Sequence, residues 1–439
     1  MALVHPNSCP CGKSELELFK VPVTQTAIES SSFVPYRPVS TLGEGAPIEF
    51  FITGSGDDYI DLSETYMEVT ARVIKKTGGN LVMVGADGEA GADAGVGPVN
   101  NWLHSLFSQI DVDLNGVLVS SSTNTYAYRA YLENLLSYGG EAKRSQLSSE
   151  LWYKDIASHM DHDKGTNTGL ADRQKFIWNS KKVSMVGRPH LDLCFQDRLI
   201  LNGVDVKMRF VRSKDEFSLM GDAKVEIVDM TLYVRKVKLN PSVQLEHIKR
   251  LEKDTAKYPV KRVETKVFSI PQGNKTYNQE NLFLGQRPTR IVLGMVRNTA
   301  FSGDATKNPF NFDHFNANFV ALYVDGMQMP SKPYKPNFAD GLYTRSFASL
   351  YGALGISNTD KSMDITREEY AQGYTLWAFD LTPDLDDSGH FQLVKDGNVR
   401  LELNFHETLP TTVNLIVYAE FENIVQIDKS RNVHFDYLT

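Results

Sequence analysis

The sequence predicts an all-β protein: two consecutive eight-stranded β-sandwiches of the jelly-roll type, with short helices in the loops and a connector helix between the halves. Three observations predict it. First, one module is written twice. Residues 108–138 (SQIDVDLNGVLVSSSTNTYAYRAYLENLLSY) and 319–351 (FVALYVDGMQMPSKPYKPNFADGLYTRSFASLY) follow the same plan. Each runs from an alternating apolar strand through a two-residue turn, Asn115-Gly116 or Asp325-Gly326, to a return strand, a polar stretch and an aromatic-rich helical segment. Second, the ends of the halves correspond. Val204–Val211 then Val225–Val237 is a strand pair, and so is Val399–Phe405 then Val413–Ile424. Third, 439 residues are too many for one ordinary core and suit two domains of about 200 residues.

Residues 1–45 read as an N-terminal arm, broken up by Pro6, Pro10, Pro22, Pro35 and Pro38. Such a segment orders against its own body or a neighbour, or stays a partly disordered tail; both readings remain open. Residues 46–240 make the first sandwich. Ile48–Ile52 is a strand, Gly54–Asp58 a turn, and Met67–Ile74 (MEVTARVI) alternates as a half-buried strand does. Residues 85–97 (GADGEAGADAGVG) form a flexible loop, not a phosphate cradle, because the Gly-Lys-Ser/Thr ending is missing. Ile110–Leu114 alternates, Asn115-Gly116 turns because both residues tolerate positive φ, and Val117–Val119 returns. Tyr126–Tyr138 has helical spacing in Tyr128, Tyr131, Leu132, Leu135 and Leu136. Residues 139–182 are a polar and helical excursion, after which strands resume at Leu191–Phe195.

Residues 241–259 are the connector. Asn240 caps its helix and Pro241 suits the first helical position. Val243, Leu245, Ile248 and Leu251 give a narrow apolar stripe, and Lys253–Pro259 ends it. The second sandwich, 260–428, has strands at Val263–Ile270, Arg290–Val296, Phe319–Val324, Leu376–Leu381, Val399–Phe405 and Val413–Phe421. Thr366 followed by Glu369 is a capping box that opens a short helix. Residues 429–439 are a C-terminal tail. About eight strands per half is what a jelly roll requires.

A net charge of −8 argues against a protein that works by neutralising phosphate, and no direct sequence-specific nucleic-acid binding is expected. Three cysteines, Cys9, Cys11 and Cys194, cannot make a disulfide framework and read as thiols in a reducing compartment. The chain opens without a signal-peptide pattern, and no apolar run approaches the ~20 residues of a membrane span. The expectation is a soluble chain, made inside the cell, with no transmembrane segment.

Candidate chemistry is sparse. His159-Met160-Asp161-His162-Asp163 is the most metal-like run, but Gly165, Thr166 and Asn167 follow it, which makes it a polar loop. Cys194 sits in an alternating strand (LDLCF) and reads as buried rather than reactive. Asp57-Asp58 and Asp386-Asp387 are solvated turn pairs. No catalytic, cofactor-binding or metal residues are assigned. The sites singled out are the hairpin turns Asn115, Gly116, Asp325 and Gly326. The aromatic loops Asn308–Phe315 and Pro330–Phe338 either pack down as loop cores or anchor subunit contacts.

Longer blocks carry a resemblance. SELELFKVPVTQTAIESS, PIEFFITGSGDDYIDLS, GPVNNWLHSLFSQIDVDLNG, SSSTNTYAYRAYLENLLSYG, FQDRLILNGVDVKMRFVRS and NPFNFDHFNANFVALYVDG resemble the hexon-like major capsid proteins of adintoviruses, viral relatives of Polinton (Maverick) elements of animal genomes. The likeness runs from about Ser14 to about Asp428. It implies a double jelly roll, with two sandwiches standing side by side, and a homotrimer whose six similar corners make a pseudo-hexagonal capsomer. It further implies an icosahedral shell around double-stranded DNA, neighbouring capsomers, a penton protein and other capsid components as partners. The arm would lock capsomers together, and the insertions 85–97, 139–182, 298–318 and 330–362 would supply towers and contacts. The place implied is the virion, with synthesis in the host cytoplasm and assembly in the nucleus. The family implies no catalytic residue and no cofactor.

Three rivals remain at this point. A lectin-like attachment protein would use exposed aromatics, with Trp102, Trp152, Trp178 and Trp377 as candidates against a core role. A cupin-like metal enzyme would need His and Glu on adjacent strands, whereas the ten histidines fall mostly in loops. A domesticated element protein kept by a host genome is compatible with the intact strands.

Overall fold

The computed structural model describes residues 7–435 apart from 10, 44, 84–90, 121–122, 162–165, 386–389 and 394. Six residues of the 85–97 loop, His162, Asp163 and the Asp386-Asp387 turn therefore lie outside the described residues. Among the described residues, sixteen strands form the body of four main sheets, and a short pair, Gly97–Pro98 with Leu219–Met220, lies apart from them. In the first half they are β1 (Ile28–Tyr36), β2 (Ile48–Ile52), β3 (Tyr59–Ile74), β4 (Phe107–Leu114), β5 (Val117–Leu118), β6 (Val183–Gly187), β7 (Val206–Arg212) and β8 (Lys224–Leu239). In the second they are β9 (Ala256–Ile270), β10 (Thr276–Gln286), β11 (Arg290–Arg297), β12 (Ala317–Val324), β13 (Met327–Tyr334), β14 (Leu376–Asp380), β15 (Asp396–Phe405) and β16 (Val413–Ile427). The sheets run β1-β8-β3-β6 and β2-β7-β4-β5, then β9-β16-β11-β14 and β10-β15-β12-β13. Adding eight to each label of the first half gives the second half. This is a double jelly roll.

The helices that matter are α1 (Trp102–Ser105), α2 (Tyr126–Ser137), α3 (Thr168–Ile177), α4 (Pro241–Leu251), α5 (Thr344–Ala353) and α6 (Arg367–Tyr370). Asn240 caps α4 by accepting a hydrogen bond from the Ser242 amide at 3.0 Å. The capping box of Thr366 and Glu369 opens α6. Both α2 and α5 follow a hairpin, so the duplication extends to the helical insertions.

Burial explains the strand patterns. From Met67 to Val73 in β3, Met67, Val69, Ala71 and Val73 point into the first core, and the residues between them are only partly buried. That is the period of two expected of a sheet with one wet face. β11 reads IVLGMV and β16 reads VNLIVYA, and both are buried without interruption. A continuous run means that both faces of the sheet are covered.

The two hairpins match bond for bond. Asn115 (φ 48°) and Gly116 (φ 81°) turn like Asp325 (φ 50°) and Gly326 (φ 80°). The Asn115 amide donates to the Asp205 carbonyl at 3.0 Å, and Asn115 Oδ1 accepts from the Asp205 amide at 2.7 Å. The Asp325 amide donates to the Asn398 carbonyl at 3.0 Å, and Asp325 Oδ1 accepts from the Asn398 amide at 2.9 Å.

Four expectations need correction. The arm of 1–45 is not all arm, because Ile28–Tyr36 pairs with β8 as an edge strand. Its side chains are mostly exposed, so backbone pairing rather than an apolar pattern places it. Leu191–Phe195 is no strand: Asp192–Phe195 is a 3-10 turn, held where the Asp192 carboxylate is bound on both sides. The connector ends early, since β9 starts at Ala256 and pairs with Ile427. The tail is not free: Val433–Phe435 adds a strand beside β16, and the Arg431 side chain donates to Asn202 of the first half at 2.6 Å.

Gly116 and Gly326 each have open space where a Cβ would stand, so Gly→Ala there adds only left-handed backbone strain. Gly116→Ala and Gly326→Ala are each expected to cost about 1–2 kcal/mol, equal within error in urea titrations. A cost at one hairpin only would mean that the two turns are not equivalent.

Candidate functional site: the seam between the sandwiches

A buried apolar seam joins the two sandwiches. The outer face of the β9-β16-β11-β14 sheet is covered over its centre. It carries Val292, Val296, Leu376, Ala378, Ile416 and Tyr418 into a third apolar core, separate from the cores inside the sandwiches. The first half fills the other side with Tyr128, Tyr131 and Leu135 of α2, with Trp152, and with Leu170 of α3.

The aromatic loop of the second half closes this core. The Phe310 ring stacks on Tyr131 at 4.1 Å with an interplanar angle of 1°, and Tyr128 donates its hydroxyl hydrogen to the Pro309 carbonyl at 3.1 Å. Phe310 and Phe312 are fully buried. Of the two readings of this loop, the packed one describes Phe310 and Phe312, which anchor one half of the chain to the other. Tyr334 and Phe338 of the second aromatic loop are also turned inward, with Phe338 stacked on His314 at 3.9 Å. Leu147, Trp152, Met160 and Leu170 of the insertion 139–182, and Phe310 and Phe312 of 298–318, are buried in this seam.

Polar groups cross the seam in paired form. Arg129 of α2 binds Asp192 at 2.7 Å and Glu133 at 2.9 Å. Asp192 in turn accepts the backbone amide of Val263 in β9 at 3.2 Å. Asp155 binds Arg173 at 2.6 Å, and also accepts from Asn308 Nδ2 at 2.9 Å and, through its carbonyl, from the Tyr374 hydroxyl at 2.6 Å. Lys154 binds Glu369 at 2.8 Å. Buried charges survive only in such pairs, since removing one partner strands the other. Lys143 differs. Its Nζ donates to the carbonyls of Leu135 at 2.7 Å and Met363 at 2.5 Å, and no ion pair holds it among the described residues. Burial pushes this amine down to about 7.

The other candidates fall as follows. Trp102, Trp152 and Trp377 are core residues and Trp178 is half exposed, which leaves no aromatic platform of several tryptophans for a glycan. Cys194 is buried, and burial pushes its thiol up to about 12; Cys9 and Cys11 are exposed and unpaired. In the metal-like run, Met160 is buried and Asp161 accepts from the Asn308 amide at 2.9 Å, so that run packs against the seam. The group that does come together is His104, Glu150 and His190. Sequence reading missed it because its members lie far apart in the chain. Among the described residues no helix is long and apolar enough to cross a membrane.

No protein-family model matches the chain. An uncharacterized protein of Caenorhabditis elegans is 28% identical over 424 residues, covering 94% of this chain and 98% of that one. Solved structures share the fold. A chain in the cryo-EM structure of the Sputnik virophage superposes with a TM-score of 0.65 at 12% identity, covering 100% of this chain and 95% of its own. The Faustovirus major capsid protein gives 0.57 at 11% identity, covering 94% and 92%. The mavirus major capsid protein gives 0.52 at 12% identity, covering 100% and 96%. The likeness spans both sandwiches and shows a double jelly roll of the kind found in these capsid proteins.

Lys143 makes the seam pH-dependent in a definite direction. Between pH 7 and its ordinary value of 10.5, the unfolded chain holds a proton that the folded chain lacks. Its part of the stability therefore rises with pH across that window and is flat below it. Lys143→Met removes this part, so wild type should gain on the variant by up to about 1.4 kcal/mol per pH unit. Parallel unfolding curves from pH 6 to pH 9.5, without this gain, would show that the amine is ordinary.

Proposed function

We propose that the chain is a major capsid protein that forms homotrimeric, pseudo-hexagonal capsomers. The observation that carries this reading is the strand-for-strand repeat: three copies of a chain with two like sandwiches present six like corners. The seam supports it, because a hexagonal block needs its two sandwiches held at one fixed angle. Full-length likeness to capsid proteins of virophages and large DNA viruses supports it as well. The role is structural rather than enzymatic. In it, capsomers tile an icosahedral shell around double-stranded DNA, with neighbouring capsomers, a penton protein and other capsid components as partners. The net charge of −8 suits a wall that does not itself grip the genome.

The start of the arm supports a locking role. Leu16, Leu18, Phe19, Val21 and Val23 are 74–100% exposed, and a run of large apolar residues in water marks a contact surface. The hairpin turns Asn115-Gly116 and Asp325-Gly326 cap the equivalent ends of the two sandwiches. The finer assignment is to the adintovirus or Polinton type, with virions built from chains made in the cytoplasm and assembled in the nucleus. A relative of nearly equal length in an animal suits an element carried in animal genomes.

Light scattering of the purified chain tests the reading. A trimer of the 49.3 kDa chain, about 148 kDa, is expected. A stable monomer under assembly conditions, with no trimer in particles, would overturn it.

A further inference from the structure

We propose that His104, Glu150 and His190 form a buried site for a zinc-class divalent cation that staples the first sandwich beneath helix α2. One ligand atom from each residue lies within 4.8 Å of the others, and all three residues are buried. They come from three separate segments: α1, the turn at Gln146–Glu150, and the loop after β6.

The donor chemistry fits. Two imidazoles and a carboxylate are a zinc ligand set with a fourth position left open. His104 Nδ1 is turned to the Tyr126 hydroxyl at 2.9 Å. Its Nε2 is fully buried and stands 3.3 Å from Glu150 Oε2. Two ligand atoms each about 2.1 Å from a tetrahedral ion stand roughly 3.4 Å apart, so this edge of the site is already at ligand spacing. His190 Nδ1 is bound to the Glu133 carboxylate at 2.5 Å, which leaves Nε2 as the nitrogen free to ligate. The Glu133 carboxylate orients this imidazole as a carboxylate does in zinc sites.

The surroundings are shaped for Glu150. A Cβ at Gly187 would come within 2.6 Å of Glu150 Oε1, so the glycine of β6 leaves the room this carboxylate fills. Asn134 of α2 donates to Glu150 Oε2 at 2.9 Å and orients it. Tyr126, Glu133 and Asn134 thus bring one face of α2 to all three ligands. The same helix carries Tyr128 and Tyr131 into the seam. A metal here would fix the helix that joins the sandwiches. This inference does not depend on the assembly reading.

The test uses the full-length chain without a histidine tag, produced with added zinc and exchanged into metal-free buffer. Elemental analysis should find one zinc per chain, and removing it with a chelator should lower Tm by about 2–5 °C. Glu150→Gln keeps the shape and the Asn134 bond but should lose the equivalent of zinc. Should that variant fail to fold, Co2+ loading of the wild type decides: the intense visible bands of a tetrahedral ion are expected. Absence of bound metal in wild type, a weak octahedral Co2+ spectrum, or full zinc stoichiometry in folded Glu150→Gln would overturn the proposal.

Discussion

The rest of the structure depends on one sheet whose centre is covered on both sides. β9-β16-β11-β14 presents one face to the core of its own sandwich and the other to the helical insertions of the first half. An isolated jelly roll needs only its inner face covered and can leave the outer one polar. Here the outer face is apolar, and exposing it would leave a large hydrophobic patch in water. The second sandwich therefore cannot stand apart from the first without a heavy hydrophobic cost. That requirement, more than the connector helix α4, holds the halves together. Within α4 only Leu251 is buried, and Leu245 and Ile248 are about half exposed, so this helix is a tether rather than a wedge.

The polar part of the seam fixes geometry. Apolar contact alone would tolerate sliding of one half over the other. Arg129, Asp192 and the Val263 amide, together with Asp155, Arg173 and Asn308, give the interface a single register, because any slip would leave buried charges or amides unpaired. In the proposed role, such a fixed angle between the two sandwiches would set the shape of the block that has to tile.

Much of this was legible in the chain. The hairpins could be read because Asn-Gly and Asp-Gly tolerate positive φ and here each stands between two alternating apolar runs. β3 could be read because one face is wet. The connector helix and the capping box were legible through their caps. The edge strand β1 was not: IESSSFVPY has no apolar period, and its place comes from hydrogen bonds to β8. The turn at Asp192–Phe195 was misread as a strand because Leu191, Leu193 and Phe195 alternate with polar residues by coincidence. The seam was visible only as an excess of aromatics in loops, with no sign of whether they faced another subunit or the other half of the same one. The grouping of His104, Glu150 and His190 leaves no trace in spacing, because it is made by three segments that the fold alone brings together.

The measurement that tests the central claim most directly is calorimetric unfolding of the full-length chain beside Phe310→Ala. If the seam makes one body of two sandwiches, the wild type unfolds in a single transition whose calorimetric and van't Hoff enthalpies agree. Loss of the Phe310 ring from its stack on Tyr131 should destabilise that one transition by about 3–5 kcal/mol. Two resolved transitions in the wild type, or a variant in which only one half melts earlier, would contradict the account.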